Sequence, residues 1–265
     1  MQIGCCGIAD QADTIRRMGY DYLELSGVAL MSMTEGERRD LADFSRLTGF
    51  PVPSVNAYAG ADHPLVGPKR RPDDVRSYAA ELMKRAHLLG VRGIGIGAPA
   101  ARRLAPDFPY TEADVQMREN LRILSEEAAP YGMTILLEAL HTGTCEYLNH
   151  TDEAARMVRE LSLSNVSLVY DRYHTEVMGE DLHPLRDCLP FVKHLHYSSN
   201  LGPAHERGFL TEQEYDGFAA FLQAARAGGY DGKISVEADN RRLEADGEAC
   251  ERLMRKAVNE TGRKV

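Results

Sequence analysis

The sequence predicts an α/β protein with a (β/α)8 barrel fold, in which residues 1–265 form a single domain. Short apolar runs alternate with helical patterns along the whole chain, which indicates parallel strands joined by right-handed crossover helices. The length of 265 residues is common for one such barrel. A doubly wound open sheet is the rival architecture, but no G-x-G-x-x-G pattern follows the first predicted strand.

In the first half of the chain, glycine and proline mark where the predicted helices end and begin. Gly19, Gly49 and Gly90 each stop a helix ahead of a strand. Pro72 lies in the first turn of a long helix, where its missing N–H has no consequence. The predicted strands are 2–6, 21–25, 52–56 and 91–97, and the predicted helices are 14–18, 35–48 and 72–89.

The second half repeats the alternation of strands and helices four more times. Thr111 and Asp114 have the spacing of a variant capping box, and Thr151 starts the next helix. Two long loops, at 58–71 and 98–110, follow strands and would therefore lie on the catalytic face of a barrel. The predicted strands are 133–138, 166–171, 191–196 and 233–237, and the predicted helices are 111–129, one from 151, 182–188, 212–227 and 241–258.

Charge, hydropathy and cysteine usage exclude several classes of protein. The chain has 31 Lys and Arg against 40 Asp and Glu, a net charge of −9, which argues against a basic surface for nucleic acid. No run approaches the roughly 18 apolar residues of a membrane span. The first residues show no leader pattern, so we expect a cytoplasmic protein. The five cysteines, odd in number and without C-x-x-C spacing, predict reduced and mostly buried thiols.

Four side chains of metal-ligand type end the last four predicted strands. They are Glu138, Asp171, His196 and Glu237. Burying such groups is unfavourable unless they are paired or metal-bound, and in a barrel the carboxyl ends of neighbouring strands meet on one face. Three carboxylates and one imidazole suit Mn²⁺ or Mg²⁺, with Co²⁺ tolerated, and the absence of cysteine argues against structural zinc. The sequence therefore predicts a site for one divalent metal ion.

Three segments of the second half carry the most specific sequence motifs. They are Asp171-Arg-Tyr-His174, His194-Leu-His196 and Gly229-Tyr-Asp-Gly-Lys-Ile-Ser-Val-Glu237, which agree in order, spacing and position at strand ends. With further matches at 19–25, 65–68 and 137–138, the chain resembles the xylose isomerase-like TIM-barrel sugar isomerases and epimerases over nearly its whole length. That group includes the ketose 3-epimerases and the hydroxypyruvate isomerases.

The resemblance implies roles for the strand-end residues. Glu138 and Glu237 correspond to paired glutamates that bind the metal and exchange a substrate proton, so they are the predicted catalytic residues. Asp171 and His196 correspond to the other metal ligands. The implied partner is a small sugar or sugar derivative, with no role for nucleic acid or membrane, and a homo-oligomer stays open.

The resemblance also implies two substrate contacts, His174 and Arg207. The ketose 3-epimerases carry an arginine closely following the asparagine after the seventh strand. Here Asn200 is followed by Leu201-Gly202-Pro203, so Arg207 would replace that function in part.

Residues after the fifth strand also differ from the family pattern. Thr144 stands where those epimerases tend to carry a glutamate, with Glu146 two residues on, and His141 stands where asparagine is common. We therefore expect altered substrate contacts around an intact metal site.

The predicted chemistry is proton transfer through an enediolate. One glutamate removes a proton beside a carbonyl, and the other returns one to the opposite face or to the neighbouring carbon. The alternatives are a metal-dependent lyase or dehydratase acting on a sugar-derived substrate, or a catalytically inactive barrel subunit. A DNA-repair nuclease with a related barrel is disfavoured by the net charge of −9 and the histidine pattern.

Several other polar residues keep more than one interpretation. Glu24 could contact substrate or serve the barrel interior, and His194 is assigned to packing or to support of the site. Arg102 and Arg103 could bind an anionic substrate, contact a partner subunit or remain solvated. Surface or loop positions are expected for His63, His150, His183 and His205, and packing roles for Tyr20, Tyr22 and Tyr230.

Overall fold

The strands form one closed parallel barrel in a computed structural model that describes residues 1–201 and 206–262. The predicted (β/α)8 fold is thereby confirmed. Within the described residues the strands are β1 (Gln2–Gly7), β2 (Tyr22–Ser26), β3 (Ser54–Asn56), β4 (Gly93–Ile96), β5 (Thr134–Glu138), β6 (Val166–Asp171), β7 (Val192–Tyr197) and β8 (Lys233–Val236).

The barrel closes because the first strand pairs with both the second and the last. Gly4 lies opposite Tyr22 on one side of β1, and Gln2 lies opposite Lys233 on the other. The remaining strands pair with their neighbours in the sequence, as expected when each connection returns the chain in the same direction. All carboxyl ends therefore meet on one face, the face that carries the active site in barrels of this kind.

Helices follow the strands around the barrel. In the described part of the chain they are α1 (Ala12–Arg17), α2 (Gly27–Ser32), α3 (Glu35–Thr48), α4 (Pro72–Leu88), α5 (Tyr110–Ala128), α6 (Thr151–Leu161), α7 (Arg172–Val177), α8 (His183–Cys188), α9 (Tyr215–Ala227) and α10 (Leu243–Gly262). Short 3-10 turns precede or follow several of them.

Local sequence signals fix the ends of the longer helices. At the start of α3 the Thr34 hydroxyl accepts a hydrogen bond from the N–H of Glu37, whose carboxylate accepts one from the N–H of Thr34. Gly49 ends this helix at a φ of 69°, a left-handed conformation that glycine adopts without strain. Pro72 is the first residue of α4, as predicted.

Several predicted boundaries are wrong, and two helices are absent from the prediction. The strand predicted at 52–56 begins at Ser54, since Pro53 has no N–H to donate to the sheet. The strand predicted at 91–97 is shortened to β4. Helices α2 and α7 have six residues each and begin at the residue after a strand ends, so no loop marks their start in the sequence. Helix α10 runs from Leu243 to Gly262 where 241–258 is predicted.

The five cysteines and three of the loop histidines lie where the sequence predicts. All five cysteines are free and buried. His63, His150 and His183 are exposed as predicted, and His205 lies outside the described residues. Among the described residues, no helix combines the length and apolar character needed to cross a bilayer.

Inside the barrel, the ring of Tyr22 lies against Gly4 of the neighbouring strand. A methyl group at Gly4 would lie 2.0 Å from a ring carbon of Tyr22, so only glycine leaves room there. Tyr22 is fully buried, and its hydroxyl lies 2.9 Å from Ser235 Oγ of β8. This packing joins β1, β2 and β8 at the point where the barrel closes.

The Gly4→Ala variant is expected to lower the free energy of unfolding by about 1–3 kcal/mol, because the methyl group displaces a buried ring in a close-packed interior. Urea unfolding followed by circular dichroism measures this change. Gly60→Ala is the matched control, since a methyl group there meets no heavy atom within 4 Å, and its effect should stay within about 0.5 kcal/mol. Equal losses of stability in the two variants would contradict this account of the packing.

Candidate active site

Four ligand-type side chains meet at the carboxyl ends of four neighbouring strands. Glu138 and Asp171 are the last residues of β5 and β6, and Glu237 directly follows β8. His196 is the last residue but one of β7. One ligand atom from each of the four lies within 4.8 Å of the others. The structure thus brings together the residues that the sequence predicts as metal ligands.

The imidazole of His196 lies between carboxylates. Its Nδ1 is 3.2 Å from Glu138 Oε1 and 3.4 Å from Glu237 Oε2. Its other ring nitrogen, Nε2, is 3.2 Å from Oε2 of Glu24 in β2. The ring is fully buried, so its orientation is set by these contacts and by the surrounding strands.

Arg207, a predicted substrate contact, extends into the same cluster. Its guanidinium donates to Asp171 Oδ2 and, over 2.6 Å, to Glu237 Oε2. Its Nε donates to the backbone oxygen of Glu237 over 2.8 Å and to Ser198 Oγ over 3.0 Å. The guanidinium also lies 4.5 Å from the centre of the Tyr173 ring. This arginine is therefore a fixed positive charge against two of the three carboxylates in the cluster.

His174, the other predicted substrate contact, also lies beside the cluster. It belongs to α7, whose first turn follows Asp171 directly, and its Nε2 is 3.7 Å from Asp171 Oδ2 and 3.2 Å from Arg207 Nη1. Its Nδ1 is 2.7 Å from Nδ1 of His141, and it also accepts a hydrogen bond from the His141 N–H. The two side chains form one imidazole pair at the rim of the cluster.

The two glutamates differ in their affinity for protons in the metal-free protein. Burial raises the pKa of Glu138 to about 7, although the nearby His196 ring acts in the opposite direction. Burial would also raise the pKa of Glu237, but Arg207 and His196 outweigh it and lower that pKa below its ordinary value.

Asp171 and His174 also have shifted pKa values, which keep the carboxyl group ionised and the imidazole neutral. Burial would raise the pKa of Asp171, but the charge of Arg207 holds it well below its usual range. Burial lowers the pKa of His174 to about 3, so its ring is neutral at neutral pH. Asp171 also accepts the Tyr173 N–H over 2.8 Å, which fixes one of its oxygens at the start of α7.

The donor set fits a divalent cation. Three carboxylates and one imidazole supply hard oxygen atoms and one nitrogen atom, the combination that Mn²⁺, Mg²⁺ and Co²⁺ accept. Arg207 already shows that the cluster attracts positive charge, since it contacts Asp171 and Glu237.

Two residues absent from the sequence-based prediction shape the pair of glutamates. Asn56, the last residue of β3, donates its amide to Glu237 Oε1 over 2.8 Å. Gly97, just after β4, leaves space for Glu138, because a methyl group there would lie 2.3 Å from Glu138 Oε2. The strand-end rule that selected the four ligand-type residues would also have selected Asn56, since it ends its strand in the same way.

The interpretations of Arg102 as an anion-binding, partner-contacting or solvated residue are wrong. Its side chain is 0% exposed and donates to the backbone oxygens of Gly97 over 2.9 Å, Glu138 over 2.7 Å and Tyr147 over 2.9 Å. The guanidinium therefore ties the loops after β4 and β5 together. Arg103 is exposed and donates to the Thr144 backbone oxygen over 3.2 Å.

The structure also shows the contacts of the residues after β5 that differ from the family pattern. The Thr144 hydroxyl donates to the His141 backbone oxygen over 2.8 Å, so it shapes the turn that carries His141. Glu146 is exposed, and its carboxylate accepts the Leu104 N–H at 3.4 Å. Residues Gly202 and Pro203, which differ from the pattern after Asn200, lie outside the described residues.

A cavity of about 360 Å³ lies beside the cluster. Glu237 and Arg207 line it together with Ser26, Asn56 and Asn240. Asn240 Oδ1 is buried without a hydrogen-bond partner among the described residues. The lining thus offers neutral hydroxyl and amide groups next to a carboxylate and a guanidinium.

Residues 12–258 match the model of the xylose isomerase-like TIM barrel family. The chain belongs to this family. The resemblance seen in the sequence motifs is confirmed, and the ligand cluster lies at the strand ends where barrels of this kind place their active sites.

Two curated relatives align with this protein over most of its length. The 3-dehydro-D-guloside 4-epimerase of Escherichia coli (strain K12) is 27% identical over 233 residues, 84% of this chain and 84% of the relative. The inosose isomerase of Bacillus velezensis is 25% identical over 238 residues, 83% of this chain and 79% of the relative. Among solved structures, the IOLI protein with a bound zinc atom shares the fold, with a TM-score of 0.72 at 19% identity over 98% of each chain.

The Arg102→Met variant is expected to lower the free energy of unfolding by roughly 2–4 kcal/mol, because it leaves several buried backbone oxygens without donors. Thermal and urea unfolding measure the loss. Arg103→Met is the matched control, since this neighbouring arginine is exposed, and its effect should stay within about 0.5 kcal/mol. A stability of Arg102→Met equal to that of the control would show that the buried hydrogen bonds do not hold these loops.

Proposed function

We propose that the protein is a divalent-metal-dependent sugar isomerase or epimerase that acts on a ketose or a related hydroxy-carbonyl compound. The observation that carries the proposal is the convergence of Glu138, Asp171, His196 and Glu237 at the carboxyl ends of β5 to β8. The reaction class is supported by the relatives, one named a 4-epimerase and the other an isomerase.

The four converging residues would hold one divalent metal ion. Their three carboxylates favour Mn²⁺, with Mg²⁺ or Co²⁺ as substitutes, and the zinc atom in the IOLI protein supports a divalent ion in a barrel of this fold. When bound, such an ion supplies positive charge that polarises a substrate carbonyl and stabilises an enediolate.

Glu138 and Glu237 would act as the acid–base pair. Their ligand oxygens lie within 4.8 Å of each other, so both can reach the same small substrate. One carboxylate takes the proton from the carbon beside the carbonyl, and the other carboxyl returns a proton. Return to the opposite face inverts the carbon and gives epimerisation, whereas return to the neighbouring carbon gives isomerisation. Asn56 holds Glu237 through its Oε1, which leaves Oε2 toward the cluster.

Arg207 and His174 would bind substrate oxygens. Both lie against the cluster, and the guanidinium has N–H groups that can donate to a hydroxyl or carbonyl oxygen. The adjoining cavity of about 360 Å³ has the size of a small-molecule site. The neutral side chains of Ser26, Asn56 and Asn240 along its wall suit the hydroxyl groups of a sugar.

The test is solvent proton exchange catalysed by the Mn²⁺-loaded protein in heavy water, with a panel of ketoses, keto-sugars and hydroxy acids. We expect deuterium to enter one substrate or its epimer without loss of water, because an enediolate is reprotonated from exchanged carboxyl groups. Glu138→Gln and Glu237→Gln should each slow the exchange by about 10²–10⁴-fold. Glu146→Gln is the matched control and should retain activity, since this glutamate is exposed.

Two other outcomes would support one of the alternative functions instead. An unsaturated product with loss of a β-hydroxyl group or an aglycone would contradict the isomerase assignment and identify a lyase or dehydratase. Metal binding without proton exchange on any member of the panel would support a catalytically inactive barrel.

A further inference from the structure

A fully buried carboxylate, Glu24, lies in the barrel interior next to the candidate metal site. It belongs to β2 and is 1% exposed. Its Oε2 lies 2.7 Å from His194 Nε2, 3.2 Å from His196 Nε2 and 2.5 Å from Ser235 Oγ. These contacts are needed, because an unpaired charge in a protein interior is strongly unfavourable. The acid–base pair proposed above makes no use of this carboxylate.

The contact with Glu24 gives the two ring nitrogens of His196 different surroundings. Nε2 points to Glu24, whereas Nδ1 points to Glu138 and Glu237 in the ligand cluster. A neutral imidazole carries one proton, and the nitrogen without it is the one that can bind a metal ion. A carboxylate that accepts the Nε2–H therefore leaves the lone pair of Nδ1 directed at the cluster.

We propose that Glu24 is a positioning residue that holds the Nε2–H of His196 and so presents Nδ1 to the divalent cation. This inference rests on the proposed metal-dependent function. Carboxylates that accept the second N–H of a metal-binding histidine fix its tautomer and ring orientation and increase its basicity. Glu24 would contribute to metal affinity in this way without contacting the metal or the substrate.

The position of Glu24 is itself fixed from several strands. Ser235 of β8 donates to it and also lies 2.9 Å from the hydroxyl of Tyr22, whose ring occupies the space left by Gly4. His194, two residues before His196 on β7, faces the same oxygen. Residues of β1, β2, β7 and β8 all take part in these contacts. The carboxylate therefore cannot move without disturbing the strands where β1 pairs with β8.

A rival role for Glu24 is direct metal binding with Cys6 and His196, whose ligand atoms also lie within 4.8 Å of one another. This set has three members, and Oε2 of Glu24 is already surrounded by two imidazole nitrogens and a hydroxyl. Metal binding by this set would also require Nε2 of His196 to lose its proton, which removes the hydrogen bond to Glu24. The geometry therefore favours support of the histidine over a separate metal site.

The first test uses the wild-type protein, with ¹⁵N-labelled histidine rings and Zn²⁺ as a diamagnetic probe. We expect the His196 ring, assigned by loss of its signals in His196→Gln, to carry a proton on Nε2 and to bind Zn²⁺ through Nδ1. In the Zn²⁺ complex, a proton on Nδ1, or binding through Nε2, would overturn the proposal. This measurement needs no change at Glu24 and decides the question even if a Glu24 variant fails to fold.

The second test is calorimetric titration of Mn²⁺ into chelator-stripped protein. Glu24→Gln keeps the size of the side chain but removes its charge, and it should raise the Mn²⁺ dissociation constant about 10–100-fold. The matched control is Glu251→Gln, because Glu251 is a buried carboxylate of α10, 7% exposed and bonded to Arg255, that packs beside Gly19 ahead of β2. It should leave the dissociation constant unchanged.

The outcomes separate this proposal from the proposed function. If wild-type protein binds Mn²⁺ and Glu24→Gln binds it equally well, the positioning role fails and the proposed function stands. If Cys6→Ala weakens binding as much as Glu24→Gln does, the rival metal site replaces the positioning role. Absence of binding in the wild-type protein would overturn both.

Discussion

Three carboxylates share one buried space in this protein, and their mutual repulsion must be offset by positive charge. In the metal-free structure Arg207 supplies that charge by bridging Asp171 and Glu237. Such a cluster is unfavourable unless its partners are well placed. The arrangement is therefore better explained by a site that admits a divalent cation than by a contribution to stability.

The barrel supports this cluster from beneath and from the side. From beneath, Glu24 orients His196, and the chain of contacts continues through Ser235 and Tyr22 to Gly4. From the side, the buried guanidinium of Arg102 joins the loops after β4 and β5 through their backbone oxygens. Both supports consist of hydrogen bonds between buried polar groups, and each joins neighbouring strands or the loops that follow them.

The sequence predicted the barrel and the ligand cluster because both follow from periodic patterns. Strands that end in Glu138, Asp171 and His196 must bring these groups to one face once the barrel closes. The short helices α2 and α7 escaped prediction, since each begins directly after a strand and no loop marks its start. The buried position of Arg102 could not be predicted, because its partners are backbone oxygens of distant loops, which leave no trace in the sequence.

If the four strand-end residues form a single divalent-metal site, calorimetric titration of Mn²⁺ into chelator-stripped wild-type protein and its Asp171→Asn variant will show it. Asp171→Asn removes a ligand charge while leaving both glutamates in place. The account predicts one site per wild-type chain with a dissociation constant of about 10 μM or below, and its loss in the variant. No binding in this range by the wild-type protein would contradict the account and leave the strand-end carboxylates with a structural role alone.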